Sequence, residues 1–448
     1  MGELFGTDGV RGIANEVLTS GMAYELGRAG AFCLTDEVHS AKILIGKDTR
    51  ASGDMLECAL VAGICSAGAE AIVACTLPTS AVAYLTRHLG YDAGIVISAS
   101  HNTMEYNGIK FFNSSGYKLA DEIEERIENI ILRQTETIPQ PTGKKMGRRI
   151  RLKKAAQEYI DYVVSTTDAD LSGMKVVLDC ANGAASEVAP WIFKLLGAEV
   201  LPYYNMPDGV NINDNCGSTH PEQLSRLVSE IGADIGLAFD GDADRLIAVD
   251  EHGNVVDGDK IMTICAVDMK KRGVLKKDTL VGTVMSNMGT EMTLKENGIT
   301  LLRTNVGDRY VLEEMLRDDY NLGGEQSGHI IFLEHNTTGD GILSGVQLMS
   351  VMKREDKPLA RLARSIKKLP QVLVGAAVDD KKKYGYMDDS EIANAVKGLE
   401  DQFKGEGRVL IRASGTEPLV RVMIEGQNKN DITKKAVEMA KLIERRLK

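Results

Sequence analysis

Residues 41–98 read AKILIGKDTRASGDMLECALVAGICSAGAEAIVACTLPTSAVAYLTRHLGYDAGIVIS, and this stretch decides the fold. Short β-branched runs at 43–45, 71–74 and 95–97 alternate with helical runs at 55–67 and 81–88. Strands separated by helical crossovers predict parallel sheet. Working outward, a polar stretch at 134–151 interrupts the alternation with Pro139, Pro141, Gly143 and a basic run, and reads as a linker. The pattern restarts at 175–178, continues through 184–196 and 222–231, and reaches a second buried strand at 235–239. A third series runs 261–269, 280–284, 292–296, 301–304 and 310–316, ending in a helical stretch at 341–352.

A second linker is expected at 365–370. Beyond it the order is strand (372–378), helix (391–399), strand (409–412), strand (420–424) and helix (434–447), a small α+β unit. The expected architecture is therefore α/β: three similar domains on mixed or parallel sheets, 1–150, 151–253 and 254–368, followed by a smaller α+β domain, 369–448. A chain of 448 residues is too long for one core, which agrees with several domains.

A net charge of −11 and a single tryptophan argue against nucleic acid, so any anionic ligand needs a local cationic cluster. Seven cysteines, none spaced Cys-x-x-Cys, read as reduced thiols, with Cys58 and Cys65 expected to be buried in their apolar run. The start carries no basic-then-apolar segment and no run approaches eighteen apolar residues, so a cytoplasmic protein without membrane contact is expected.

Ligands of open α/β sheets gather where loops leave the carboxyl ends of strands. After the strand at 235–239 comes Asp240-Gly-Asp242-Ala-Asp244-Arg245, with carboxylates at alternate positions and Gly241 expected to supply the tight turn. Oxygen-only ligands suit a hard cation such as Mg2+. An EF-hand is excluded because Arg245 stands where that loop needs glycine and because the flanks read as strands. After the strand at 95–97 comes Ser98-Ala-Ser100-His101-Asn102, which fits an exposed catalytic loop and a helix cap equally well. Gly324-Glu325-Gln-Ser327-Gly-His329 fits sugar hydroxyls or a polar turn. Arg412-Ala-Ser414-Gly415-Thr416-Glu-Pro418, with Arg421 nearby, fits an anion-binding nest. Arg11, in Phe5-Gly-Thr-Asp-Gly-Val-Arg-Gly, reads alone as a surface cation.

Taken in order, these motifs resemble the α-D-phosphohexomutase family across essentially the whole chain, including Gly46-Lys-Asp-Thr-Arg50 and Thr338-Gly-Asp-Gly341. Phe5-Gly-Thr, Ile97-Ser98, Val306-Gly307-Asp308-Arg-Tyr310 and Gln326 are most similar to its amino-sugar branch. The resemblance implies a four-domain isomerase around a central cleft. It implies that Ser100 carries the phosphoryl group and that Asp240, Asp242 and Asp244 bind one Mg2+ together with a phosphoserine oxygen. Arg11, His101, Lys110 and Arg245 would line the transfer site, with His101 and Lys110 both eligible as general base. Val306, Gly307, Asp308, Glu325, Ser327 and His329 would meet the sugar, and Arg412, Ser414, Gly415, Thr416 and Arg421 the second phosphate. The implied partner is a hexosamine monophosphate, with its 1,6-bisphosphate as intermediate and a homodimer allowed. The sequence departs from the family at Thr103-Met104, Ala243 and Ala413, where Pro, Gly and Pro are usual. Alternative readings are a glucose or mannose phosphomutase, an aspartyl phosphatase using Asp240 and Asp242, and a non-catalytic sugar-phosphate binder.

Overall fold

A computed structural model describes residues 2–6, 8–34, 41–414 and 418–448. The first sheet holds β1 (Val10–Ile13), β2 (Lys42–Lys47), β3 (Glu70–Thr76), β4 (Ala93–Ile97), β5 (Tyr106–Asn113) and β6 (Arg149–Arg151), in the spatial order β1-β5-β4-β2-β3-β6. Helices α1 (Ser20–Leu34), α2 (Ser52–Ser66), α3 (Thr79–His88) and α4 (Asp121–Arg133) accompany it. β2 pairs in parallel with β3 and β4, as the alternation predicts. The sheet is mixed, because β5 and β1 close its far edge antiparallel. The stretch expected as a linker at 134–151 ends in β6, which pairs in parallel with β3 through Ile72 and Ile150. Its basic sequence hides the strand, since an edge strand needs only one partner.

The second sheet has the order β11-β10-β9-β7-β8, from β7 (Lys175–Asp179), β8 (Glu199–Tyr203), β9 (Ile235–Phe239), β10 (Leu246–Asp250) and β11 (Val255–Val256). With it run α5 (Ala155–Ser165), α6 (Ala185–Leu195) and α7 (Glu222–Ile231). β9 and β10 pair antiparallel from Phe239 opposite Leu246, so the acidic loop is the connection of a hairpin. α8 (Gly258–Lys271) leads to the third sheet, ordered β13-β12-β14-β15, from β12 (Thr279–Thr283), β13 (Thr300–Thr304), β14 (Leu322–Gly324) and β15 (Ile330–Phe332). α10 (Asp308–Arg317), α11 (Gly341–Glu355) and α12 (Leu359–Arg364) complete this region, while α9 (Met288–Glu296) lies between β12 and β13 in the chain.

These three sheets form one compact unit, residues Met1–Met285 and Ile299–Arg364. A second unit, Ser286–Gly298 with Ser365–Lys448, has its own core. It contains β16 (Gln371–Ala377), α13 (Ser390–Phe403), β17 (Gly407–Ala413), β18 (Leu419–Gly426) and α14 (Lys429–Leu447), with β18 central and antiparallel to both neighbours. α9 belongs to this second unit, where the Asn287 amide donates to Leu369 O and its side-chain oxygen accepts from Leu369 N, both at 3.0 Å. Among the described residues no helix is long and apolar enough to cross a membrane. All seven cysteines are free. Cys180, Cys216 and Cys265 are buried, but Cys58 is exposed and Cys65 half-buried, because one face of α2 looks outward.

Candidate active site

In the first sheet the loops leaving β2 and β4 lie side by side, since those strands are parallel neighbours. Ser100, just past β4, has φ +53°, a left-handed conformation that costs a non-glycine residue about 1–2 kcal/mol. It is not on an exposed loop as the sequence suggests, being only 1% exposed. Loops from two sheets cover it. Its N–H donates to Ser98 Oγ (2.9 Å), which itself donates to Asp48 Oδ2 (2.6 Å). Ser100 Oγ donates to Asp240 Oδ2 at 2.7 Å and lies 3.4 Å from His101 Nδ1. Burial, then Arg245 and Arg11, pull the His101 imidazole down to about 4.

The β9–β10 hairpin brings Asp240, Asp242 and Asp244 together, all buried, with one oxygen from each within 4.8 Å of the others. Asp240 Oδ1 accepts from Arg245 N (3.2 Å). Asp242 Oδ2 accepts from Thr79 Oγ (2.6 Å) and Lys110 Nζ (3.0 Å). Asp242 Oδ1 and Asp244 Oδ1 are buried without a hydrogen-bond donor. Acceptor-only oxygens left bare in a buried acidic cluster fit a hard divalent cation. Burial, then Asp244 and Asp242, push the Asp240 carboxyl well above the usual carboxylate range. For Asp244, burial acts in the same upward direction, but His329 and Lys110 outweigh it and hold the carboxyl low.

The glycine of this loop serves a purpose other than the expected tight turn. The positive φ falls on Ala243, at +57°. Gly241 is needed for close approach, because a Cβ there would sit 2.7 Å from Ser100 O and 2.9 Å from Asn213 Nδ2. The acidic and serine loops can touch only across a residue without a side chain.

Around the acids runs an ionic network that the sequence reading only partly anticipates. Lys110 on β5 bridges Asp8 and Asp242, each at 3.0 Å, and Lys118 bridges Asp8 and Asp308, each at 2.6 Å. Burial opposes the Lys110 charge, but Asp242 and Asp8 outweigh it and raise its pKa. His329 is buried, with Nδ1 3.5 Å from Asp244 and Nε2 3.6 Å from Asp308. His329 Nε2 also accepts from Gly339 N at 3.0 Å. Arg11 pairs with Asp8, and Arg245 Nε lies 3.9 Å from both Asp240 and Asp244. Gly307 N donates to Glu325 Oε1 (3.1 Å), tying the half-buried Val306 loop to the sugar motif, while Ser327 is exposed. Asp8 and Lys118 are absent from the sequence reading of the site. Asp8 stands inside the quoted N-terminal run, the one signal that could have raised it.

In the second unit Arg412 and Arg421 stand directly opposite on β17 and β18. Burial, then Arg421, lower the Arg412 pKa. Like charges so placed repel, and an anion would relieve them. Ser414 is buried, and its N–H donates to Leu419 O at 2.8 Å. Gly415 and Thr416 lie outside the described residues.

This set of domains and site defines a phosphohexomutase. The chain belongs to the phosphoglucomutase/phosphomannomutase family, matching its α/β/α domains I, II and III over residues 2–138, 157–253 and 257–369, and its C-terminal domain over 373–442. It is an isomerase of that family. Its relatives include the phosphoglucosamine mutase of Acetivibrio thermocellus, 59% identical over 448 residues, and that of a Thermoanaerobacter species, 60% identical over 447 residues; each comparison covers 100% of both chains. The same fold recurs in a phosphoglucomutase/phosphomannomutase family protein from Burkholderia thailandensis, with TM-score 0.80 and 24% identity over 98% of this chain and 97% of that one. It recurs in the N-acetylphosphoglucosamine mutase of Aspergillus fumigatus, solved with GlcNAc-6P and magnesium, with TM-score 0.69 and 16% identity over 99% and 96%.

Proposed function

We propose that this enzyme interconverts glucosamine 6-phosphate and glucosamine 1-phosphate in the cytoplasm, carrying the phosphoryl group on Ser100. The observation that carries the reading is the 2.7 Å contact of Ser100 Oγ with Asp240 inside the buried acidic cluster. Full-length relatives at 56–60% identity support the amino sugar over glucose or mannose. Asp240, Asp242, Asp244 and a phosphoserine oxygen would hold Mg2+, which when bound neutralises part of the phosphate charge. Phosphoserine and substrate phosphate bring about −2 each, so further cations are needed. Arg11 Nε and Arg245 Nε are buried without hydrogen-bond partners, which suits them to phosphate oxygens.

In the proposed cycle a sugar hydroxyl attacks phospho-Ser100, and its proton passes to His101, because Lys110, kept as an ammonium by Asp242 and Asp8, has no lone pair to accept it. The serine P–O bond breaks as the sugar P–O bond forms, giving the 1,6-bisphosphate. The bisphosphate turns end for end and returns its other phosphoryl group to Ser100. Segments 1–150, 151–253, 254–368 and 369–448 would supply the serine, the metal ligands, the sugar contacts and the second phosphate clamp. Sugar contacts fall to Val306, Gly307, Asp308, Glu325, Ser327 and His329. The clamp falls to Arg412, Ser414, Gly415, Thr416 and Arg421. A coupled assay should give fastest turnover with glucosamine phosphates and loss of turnover in EDTA, and mass spectrometry an adduct of about 80 Da on Ser100. Faster turnover of glucose or mannose phosphate would overturn the specificity, and an active Ser100→Ala variant would overturn the serine carrier.

A further inference from the structure

Arg50 and Asn213 reach the serine loop from different sheets and converge on the same two carbonyls. Arg50 Nη2 donates to Ser100 O (3.0 Å) and Asn102 O (2.8 Å). Asn213 Nδ2 donates to the same oxygens, both at 2.9 Å. Arg50 also donates through Nη1 to Thr103 O and to Tyr106 O (3.1 Å), and through Nε to Asp48 Oδ2 (2.9 Å). All five guanidinium N–H positions are thereby used. Arg50 is 2% exposed and Asn213 5%. Unlike Arg11 and Arg245, whose Nε atoms lack partners, Arg50 has nothing left to offer a phosphate. Its chemistry is spent on the backbone.

Both donors act on Ser100 itself, at the carbonyl of the residue whose hydroxyl meets Asp240. That residue holds an unfavourable φ of +53°, which persists only where surroundings over-determine it. Asn213, itself at φ +57°, is anchored by its N–H to Ala181 O (3.0 Å) and lies against Gly241 in the acidic loop. A single amide thus relates the serine carbonyl of the first sheet to the acidic loop of the second. We infer that Arg50 and Asn213 are positioning residues that fix the Ser100 backbone so that its Oγ is delivered in line to the acidic cluster. Neither needs to touch the substrate to do so.

This inference rests on the serine-carrier reading, and the test separates the two. Asn213→Ala removes the bridging donors without leaving a buried charge, and Arg50→Lys keeps a cation beside Asp48 but cannot serve the same carbonyls. Each variant should lower kcat about 100-fold with KM essentially unchanged, the signature of misplacement and not of lost binding. Phosphorylation of Ser100 by glucose 1,6-bisphosphate, followed by mass spectrometry, should slow by the same factor while the melting temperature stays near wild type. If Arg50→Lys does not fold, Asn213→Ala decides alone. Wild-type kcat in Asn213→Ala, a change confined to KM, or a loss that merely follows unfolding would each overturn the inference. A Ser100→Ala control run alongside must be inactive; turnover there would instead refute the serine carrier.

Discussion

In the serine and acidic loops, Ser100 at φ +53° and Ala243 at φ +57° hold left-handed backbone without being glycine. For Ala243 the opposing effects nearly cancel. Glycine there would release about 1–2 kcal/mol of strain. It would also add about 0.5–1 kcal/mol of chain entropy cost and remove a buried methyl worth about 0.8 kcal/mol. Ala243→Gly should therefore leave melting temperature and turnover close to wild type. Gly241→Ala, two residues earlier, should behave quite differently. Its Cβ would meet Ser100 O at 2.7 Å and Ile212 Cδ1 at 2.8 Å, against a carbonyl that Arg50 and Asn213 already hold. The serine and acidic loops must separate, and turnover should fall about 100-fold or more. Equal behaviour of the two variants in a turnover and melting comparison would refute this account of the loop. A glycine's φ cannot be read from a motif, and neither can the carbonyl lying beside it.

At the scale of elements, β7 ends in Asp179, whose oxygens accept from Ala181 N (3.0 Å) and Gly217 N (2.8 Å), tying the loop after β7 to the one around Cys216. Burial pushes this carboxyl up to about 6, although both N–H groups oppose the shift. A folded-state value above the unfolded one means that the protonated form is favoured by folding. The contribution is full below the unfolded pKa of about 3.9 and is lost as pH rises through about 6. Between pH 5 and pH 8 wild type should lose about 1 kcal/mol relative to Asp179→Asn, measured as the difference in urea unfolding free energy. A pH-independent difference would refute it. Strands such as β2, β4 and β9 are legible in the sequence because continuous apolar runs mark strands buried on both faces. β1 and β5 are not, since Arg11 and Lys110 interrupt their apolar pattern. The acidic triad is legible because its chemistry lies within one loop. The Asp8, Lys118 and Asp308 cluster is not, because Lys118 and Asp308 are 190 residues apart and only the fold brings them together.

For the whole molecule, a chain of net charge −11 that handles phosphates must concentrate its cations where the phosphates go. In the proposed cycle Arg11 and Arg245 would do so beside Ser100. In the second unit Arg412 and Arg421 face each other across paired strands, where like charges repel. Arg412→Ala should therefore leave the fold as stable as wild type or slightly more so. Function should move the other way. Losing one charge-assisted phosphate contact costs about 1.5–3 kcal/mol, toward the lower end because Arg412 is only half-buried. In the proposed cycle the bisphosphate must be held while it reverses, so a weakened clamp lets it escape and leaves Ser100 unphosphorylated. Turnover should fall, free bisphosphate should accumulate, and added bisphosphate should restore Ser100 phosphorylation and part of the activity. Measuring melting temperature, turnover and released bisphosphate together distinguishes a ligand clamp from a structural arginine. A variant that melts early, or that retains substrate affinity and loses no intermediate, would remove Arg412 from the phosphate site and with it the separate task assigned to the last segment of the chain.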